Sequence, residues 1–387
     1  MSLRVLIVAA PFGFGPAAKA LLIADALAGV AEVTIFSNRD ALRFVNRFKP
    51  PGVVSREGVF HAAFPDQPAL SAFDCFISIN NEPAVHHLIA HGLQARTIFV
   101  DSILPWRSMN SPVGFREPIL AYLVQDFPGA AAGLHRCHAL TVELTAPMVW
   151  AQPGTARPPP KGMGSITLHV GGVTSPLVGW DMLKQPIANI LECTAGQTSR
   201  FLRSLSVIGS RHLASMDLVS TDGVEMLGDI SPPETAAVIG ASEVLVTTPG
   251  IGAIYEALVL GVPVILLPPM NSTQLLQYVV LTQRGFLGSI GGPSRADMLR
   301  VARSVPWDQQ TGRCVEWLRR NPADALAALP GHLAQLLSTD GGSARAGVLA
   351  VQQAFKSELS RNSAVDVIRR LLSKGSIGPI TPPKVGG

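Results

Sequence analysis

The sequence predicts an α/β protein: two doubly wound Rossmann-like domains facing across a cleft, with a helical C-terminal segment. Three observations predict it. Apolar runs of strand length alternate with stretches of helical spacing, a rhythm that builds parallel sheets covered on both faces. Glycine turns stand where a strand hands over to a helix. A proline- and glycine-rich stretch near the middle breaks the rhythm, which then restarts.

Taken in order, "RVLIVAA" reads as a buried parallel strand and "PAAKALLIADALAG" as the helix after it, followed by the strand "AEVTIFS". "AFDCFISIN" and "ARTIFVDSI" repeat the theme on either side of the helical "EPAVHHLIAHGL". These elements make an N-terminal domain over 1–150. The proline-rich stretch at 151–164 is a linker, because so many prolines and glycines forbid a regular element. The second domain, 165–340, opens with the strand "SITLHVGG". It continues through a helix near Gln197–Leu205, "SVIGS", "VEMLGD", a helix from Pro232, "SEVLVTT", a helix around Tyr255 and "PVILLPP". From about Ser294 onward the apolar spacing is helical, and 341–374 forms C-terminal helices; 375–387 is expected to be a mobile tail.

The totals exclude several classes. With 387 residues, 47% of them hydrophobic and 15% charged, each half can bury its own core. The net charge of +4 comes from scattered Lys and Arg with no basic block, so nucleic acid is not the expected partner. Cys75, Cys137, Cys193 and Cys314 lie too far apart for a zinc motif and read as buried thiols of a reducing compartment. The opening apolar run is too short for a secretory leader, and no later run spans a bilayer; the expected location is cytoplasmic. Oligomeric state is not legible.

Three glycine loops carry the chemistry, each where a strand delivers the chain to a helix whose first N–H groups are unpaired and suit a phosphate. In the first, Gly13-Phe14-Gly15-Pro16-Ala17-Ala18 matches the dinucleotide pattern GxGxxA, with Lys19 just behind it. The acid that should follow about twenty residues later is missing. Arg39 stands near that place instead, so an NADP-dependent oxidoreductase is one alternative, and a plain packing turn is another. The second loop, "HVGGVTSP", brings Gly171, Gly172 and Thr174 to the end of a strand. The third, "TTPGIGAIYEA", sets Gly250, Ile251 and Gly252 at a helix start with Glu256 about a turn inside. A diphosphate on that helix start places an attached ribose beside Glu256, whose carboxylate can accept from both hydroxyls. The plainer reading is a favourable charge near a helix N-terminus. After the next strand, Thr273 and Gln274 reach the same edge.

The segment Glu243–Gln274, with its glycine turn, glutamate, "A..GVP", strand and polar loop ending in glutamine, resembles the donor motif of nucleotide-sugar glycosyltransferases of the GT-B architecture. Similar patterns occur in the peptidoglycan N-acetylglucosaminyltransferase and the small-molecule UDP-glycosyltransferases. The resemblance implies an inverting, metal-independent transfer from a UDP-sugar to a small acceptor, without a bound cofactor. It implies backbone around Gly250, Ile251, Gly252, Gly171 and Gly172 on the diphosphate, with Thr174 beside it. It further implies Glu256 on the ribose, Ile230 at the uracil edge, and Thr273 and Gln274 on the sugar. Gly13, Phe14, Gly15 and Lys19 become an acceptor or cleft loop, and the resemblance implies that the helix in "SAVDVIRRLLSK" crosses back onto the first domain.

One departure stands out: relatives often carry a histidine in the first glycine loop as base, and "GFGPAAK" has none. A nucleoside-diphosphate binder without catalysis is therefore a further alternative. If an acid is the base, the candidates are Asp101 and Glu82, then Asp126, each of which also reads as an ordinary N-cap or loop acid. "SINNEPAVHHLIAHGLQARTIFVDSILPW" is similar to the cytosylglucuronate synthases, which implies UDP-glucuronate as donor, cytosine as acceptor and a role in antibiotic biosynthesis.

Overall fold

The computed structural model describes residues 2–58, 70–105, 115–151, 165–171, 178–201, 203–213, 216, 223–338 and 340–373. The chain forms two compact units, one of Met1–Ala10, Ala20–Ala146 and Ser360–Gly387, the other of Pro11–Lys19 and Pro147–Leu359.

The first sheet follows the expected rhythm. Its elements are β1 (Leu3–Ala9), α1 (Gly15–Ala26), β2 (Ala31–Ser37), α2 (Arg39–Phe48), β3 (Val54–Glu57), β4 (Cys75–Ile79), α3 (Glu82–Ala90), β5 (Thr97–Asp101), β6 (Ile119–Gln125), α4 (Ala130–Gly133) and β7 (Ala139–Thr145). The strands pair in parallel in the order β3-β2-β1-β4-β5-β6-β7. Every residue of β4, β5 and β6 is buried, as a parallel sheet with helices on both faces requires. Strand order reverses between β1 and β4, so the loops leaving those two strands part and open a crevice at the sheet's carboxyl edge.

The second sheet repeats the plan with β8 (Ser165–His169), α5 (Trp180–Arg200), β9 (Ser204–Ile208), β10 (Val224–Gly228), α6 (Pro232–Gly240), β11 (Val244–Thr247), α7 (Ile251–Leu260), β12 (Val264–Leu266), α8 (Ser272–Gln283) and β13 (Leu287–Gly288). All pairs are parallel in the order β10-β9-β8-β11-β12-β13, with the reversal between β8 and β11. The helix expected near Gln197–Leu205 is corrected: it is the end of the much longer α5, and Ser204 already begins β9. Pro186 inside α5 hides this helix from a sequence reading, since proline usually marks a helix boundary.

Helices α9 (Gly292–Arg303), α10 (Trp307–Arg320), α11 (Pro322–Leu326), α12 (Leu329–Leu337) and α13 (Gly342–Ser357) follow, and α14 (Ala364–Ser373) ends the described chain. Helix α14 buries Ala364, Val367, Ile368, Leu371 and Leu372, the single stripe that helical spacing produces, and it belongs to the first unit. Its approach is fixed by hydrogen bonds within that unit. Ser360 N–H donates to Asp126 at 2.6 Å, and the Arg369 guanidinium donates to the Ala26 carbonyl at 2.9 Å. The four cysteines are free; burial pushes the Cys75 and Cys314 thiols up to about 12, which keeps them protonated. Among the described residues no helix is long and apolar enough to cross a membrane. The tail at 375–387 and most of the linker lie outside the described residues.

Candidate functional site

Four of the predicted donor residues, Gly171, Gly250, Ile251 and Gly252, follow the two strands at the second sheet's reversal point. Strand β8 ends at His169 and delivers Gly171; its neighbour β11 ends at Thr247 and delivers Thr248, Pro249 and the start of α7. The two loops are tied together. The Thr248 hydroxyl donates to the Gly171 carbonyl at 3.0 Å, and the Thr248 N–H donates to the His169 carbonyl at 3.1 Å. Gly172 and Thr174 lie outside the described residues.

Gly250 is the N-cap of α7 and supplies no side chain to cap it. The first N–H groups of that helix therefore keep their partial positive charge for another partner. A Cβ on Gly252 would meet nothing within 4 Å, and one on Gly250 would meet only the Thr248 carbonyl at 3.8 Å. Packing does not demand glycine at either position. Their missing side chains leave room in front of the helix, the shape a phosphate needs to reach the backbone. Ile251 between them is buried.

Glu256 is not the open acid that its place in the motif implies. Its side chain is 7% exposed, and Trp150 N–H and Ala151 N–H donate to its two carboxylate oxygens at 2.6 and 2.7 Å. Burial raises its pKa from 4.5 to about 7, against the two N–H bonds, which lower it. Glu256 does not lie in the helix's first turn, as the plainer reading expects; it ties α7 to the backbone at residues 150–151. Each oxygen keeps a second lone pair, so the clasp still leaves acceptor capacity.

The loop after β12 is also self-organised. Asn271 caps α8 and accepts from the Gln274 N–H at 2.9 Å and the Thr273 hydroxyl at 2.8 Å. The Gln274 side-chain carbonyl accepts from Met270 N–H at 2.8 Å, and the residue is 4% exposed. Thr273 and Gln274 thus shape this loop. Ile230 lies at the carboxyl edge after β10, just before Ser231, which forms a capping box with Glu234 on α6.

Gly13, Phe14 and Gly15 follow β1 in the chain, and Glu82 is the first residue of α3. Gly13 adopts φ 61°, a turn that favours glycine, whereas a Cβ on Gly15 would meet nothing within 4 Å. Lys19 is buried at 7% exposure rather than reaching into solvent. Arg39 is exposed at the start of α2, with φ 49°.

Asp101, a candidate base, is placed in the core of the first sheet. It is fully buried, accepts from the Tyr122 hydroxyl at 2.8 Å and from Ile103 N–H at 2.8 Å, and holds the turn after β5. Asp126 likewise holds Ser360. Glu82 opens α3 with its side chain 23% exposed, 3.6 Å from the His86 ring nitrogen. Asn80, two residues earlier, adopts φ 54°, and its amide is locked to Ser102 by bonds of 2.7 and 2.9 Å.

His169 is the residue that sequence reasoning missed. It sits inside the apolar run "ITLHV" as the last residue of β8. Only the glycine two residues on hints at it: a Cβ there would come 2.4 Å from the imidazole Cε1.

No family model matches the chain, and no curated protein matches it in sequence. Solved structures do match along nearly the whole length. A glycotransferase of kitacinnamycin aligns at TM-score 0.53 and 16% identity, covering 95% of this chain and 98% of the other. UGT71G1 from Medicago truncatula, complexed with UDP-glucose, aligns at TM-score 0.53 and 12% identity over 97% and 99% of the two chains. The glycosyltransferase SnogD from Streptomyces nogalater aligns at 0.50 and 16% identity over 98% and 100%. The fold is GT-B. Within a GT-B fold, the second sheet's reversal point, with its two tied loops and uncapped α7, is the candidate nucleotide-sugar site.

Proposed function

We propose that this GT-B chain is a glycosyltransferase that moves a sugar from a UDP-sugar to a small-molecule acceptor with inversion. The observation that carries this is the start of α7: uncapped N–H groups at a sheet reversal point, fronted by two glycines that packing does not require. Structures of the same fold that act as glycosyltransferases, one of them holding UDP-glucose, support the donor class.

In the proposed reaction the acceptor oxygen or nitrogen attacks the anomeric carbon opposite the diphosphate, whose bond to that carbon breaks. The N–H groups of Ile251 and Gly252 stabilise the departing charge without a metal. Glu82, partly exposed at the first sheet's reversal point, is the proposed proton acceptor, since Asp101 and Asp126 are engaged in holding the fold. Glu256 reaches a ribose only through the lone pairs left by Trp150 and Ala151. The proposal extends to UDP-glucuronate as donor and cytosine as acceptor, which rests on the sequence resemblance of Ser78–Trp106 alone.

Calorimetry with UDP, UDP-glucose, UDP-glucuronate and NADPH tests the reading. UDP binding with release of UDP from a donor is expected. Binding of NADPH without response to any nucleoside diphosphate refutes it and points to the GxGxxA loop. UDP binding with no donor turnover on any acceptor tried favours a non-catalytic binder.

A further inference from the structure

We infer that His169 is a positioning residue of the diphosphate cradle: its imidazole, wedged between Thr247 and Gly171, fixes the spacing of the two loops that would hold the phosphates. The inference rests on the donor-site reading and adds a residue to it.

The argument starts from hydrogen-bond bookkeeping. His169 and Thr247 are register partners on adjacent parallel strands, each the last residue of its strand. The Thr247 hydroxyl donates to the Thr248 carbonyl at 3.0 Å. Its one proton is thereby used, so toward His169 Nδ1, 3.3 Å away, it can only accept. Nδ1 therefore carries the proton, and Nε2 is bare. Burial lowers the ring's pKa from 6.5 to about 4, so the imidazole is neutral and contributes shape rather than charge.

The shape matters at Gly171. A Cβ there would lie 2.4 Å from Cε1 and 2.9 Å from Nε2, so the ring occupies the space that a side chain at 171 would need. Gly171 is held against the ring while the Thr248 hydroxyl grips its carbonyl. One strand-end histidine and two consecutive threonines thus set where Gly171 stands relative to the start of α7. A phosphate gripped from both sides needs that distance fixed, because misplacement by about 1 Å weakens several hydrogen bonds together.

The test compares UDP with uridine by calorimetry on the full chain and on the H169A, H169N and T247V variants. Asparagine keeps a donor at the Nδ1 position, and T247V keeps the shape of Thr247 while removing its hydroxyl, so one of them is informative even where H169A fails to fold. The expected result is that H169A and T247V weaken UDP about tenfold while uridine changes by less than about threefold, with H169N staying close to the parent. Equal losses for UDP and uridine in folded variants, or unchanged UDP affinity, overturn the inference and leave the donor-site reading intact. A parent chain that binds uridine but gains nothing from the diphosphate overturns both.

Discussion

Replacing Glu256 by glutamine should reverse the order of stability between acid and neutral pH. The carboxyl's pKa rises from 4.5 to about 7 on folding because burial disfavours its ionised form. The folded state then holds its proton through a window in which the unfolded chain has released it. Stability from this group is complete below 4.5 and is lost as pH rises to about 7. At about 1.4 kcal/mol per pH unit, the loss is on the order of 3 kcal/mol. Glutamine does not ionise, but its amide NH2 faces one of the two N–H donors from Trp150 and Ala151, a conflict worth about 1–3 kcal/mol at every pH. E256Q should therefore be the less stable chain at pH 4.5 and equal to or more stable than the parent at pH 8. Urea unfolding at pH 4.5, 6 and 8 reads this directly, and other titrating groups cancel in the difference. A gap that widens with rising pH would mean that the two N–H bonds outweigh burial and hold the acid ionised, which refutes the reasoning.

Three further outcomes are expected. His169 contributes the opposite slope: its pKa falls from 6.5 to about 4 on folding, so stability is lost as pH drops through that window, and H169N should flatten the acid limb of the parent's profile. G252A should leave unfolding free energy unchanged or raise it by up to about 1 kcal/mol, since alanine is the better helix former and meets no neighbour, yet weaken UDP by filling the phosphate's space. Loss of stability without loss of UDP affinity would place the cradle elsewhere. D101N should lower stability by about 1–3 kcal/mol because an amide nitrogen cannot accept from whichever donor it faces, Tyr122 or Ile103, and UDP affinity should not change. A folded D101N chain of normal stability would contradict the structural role given to this acid.

What the sequence revealed and what it hid follow from the range of the interactions concerned. The β8 and β11 strands, the glycine turns and the start of α7 are written in local pattern: apolar runs, glycine where a helix begins, and a capping box at Ser231 and Glu234. The partners of Glu256 are not local. Trp150 and Ala151 stand 106 and 105 residues before Glu256, and no periodicity links them to a glutamate on α7. The same holds for Asp101, whose burial is decided by Tyr122 on the neighbouring strand β6. An acid at a strand's carboxyl end looks identical in sequence whether it faces substrate or a core tyrosine. His169 is likewise not legible locally, since only the strand register sets it beside Thr247. The proposed phosphate cradle therefore depends on pairings between strands. Glycine marks where the backbone is offered to a ligand, and the residues that fix its position are identified only by the register.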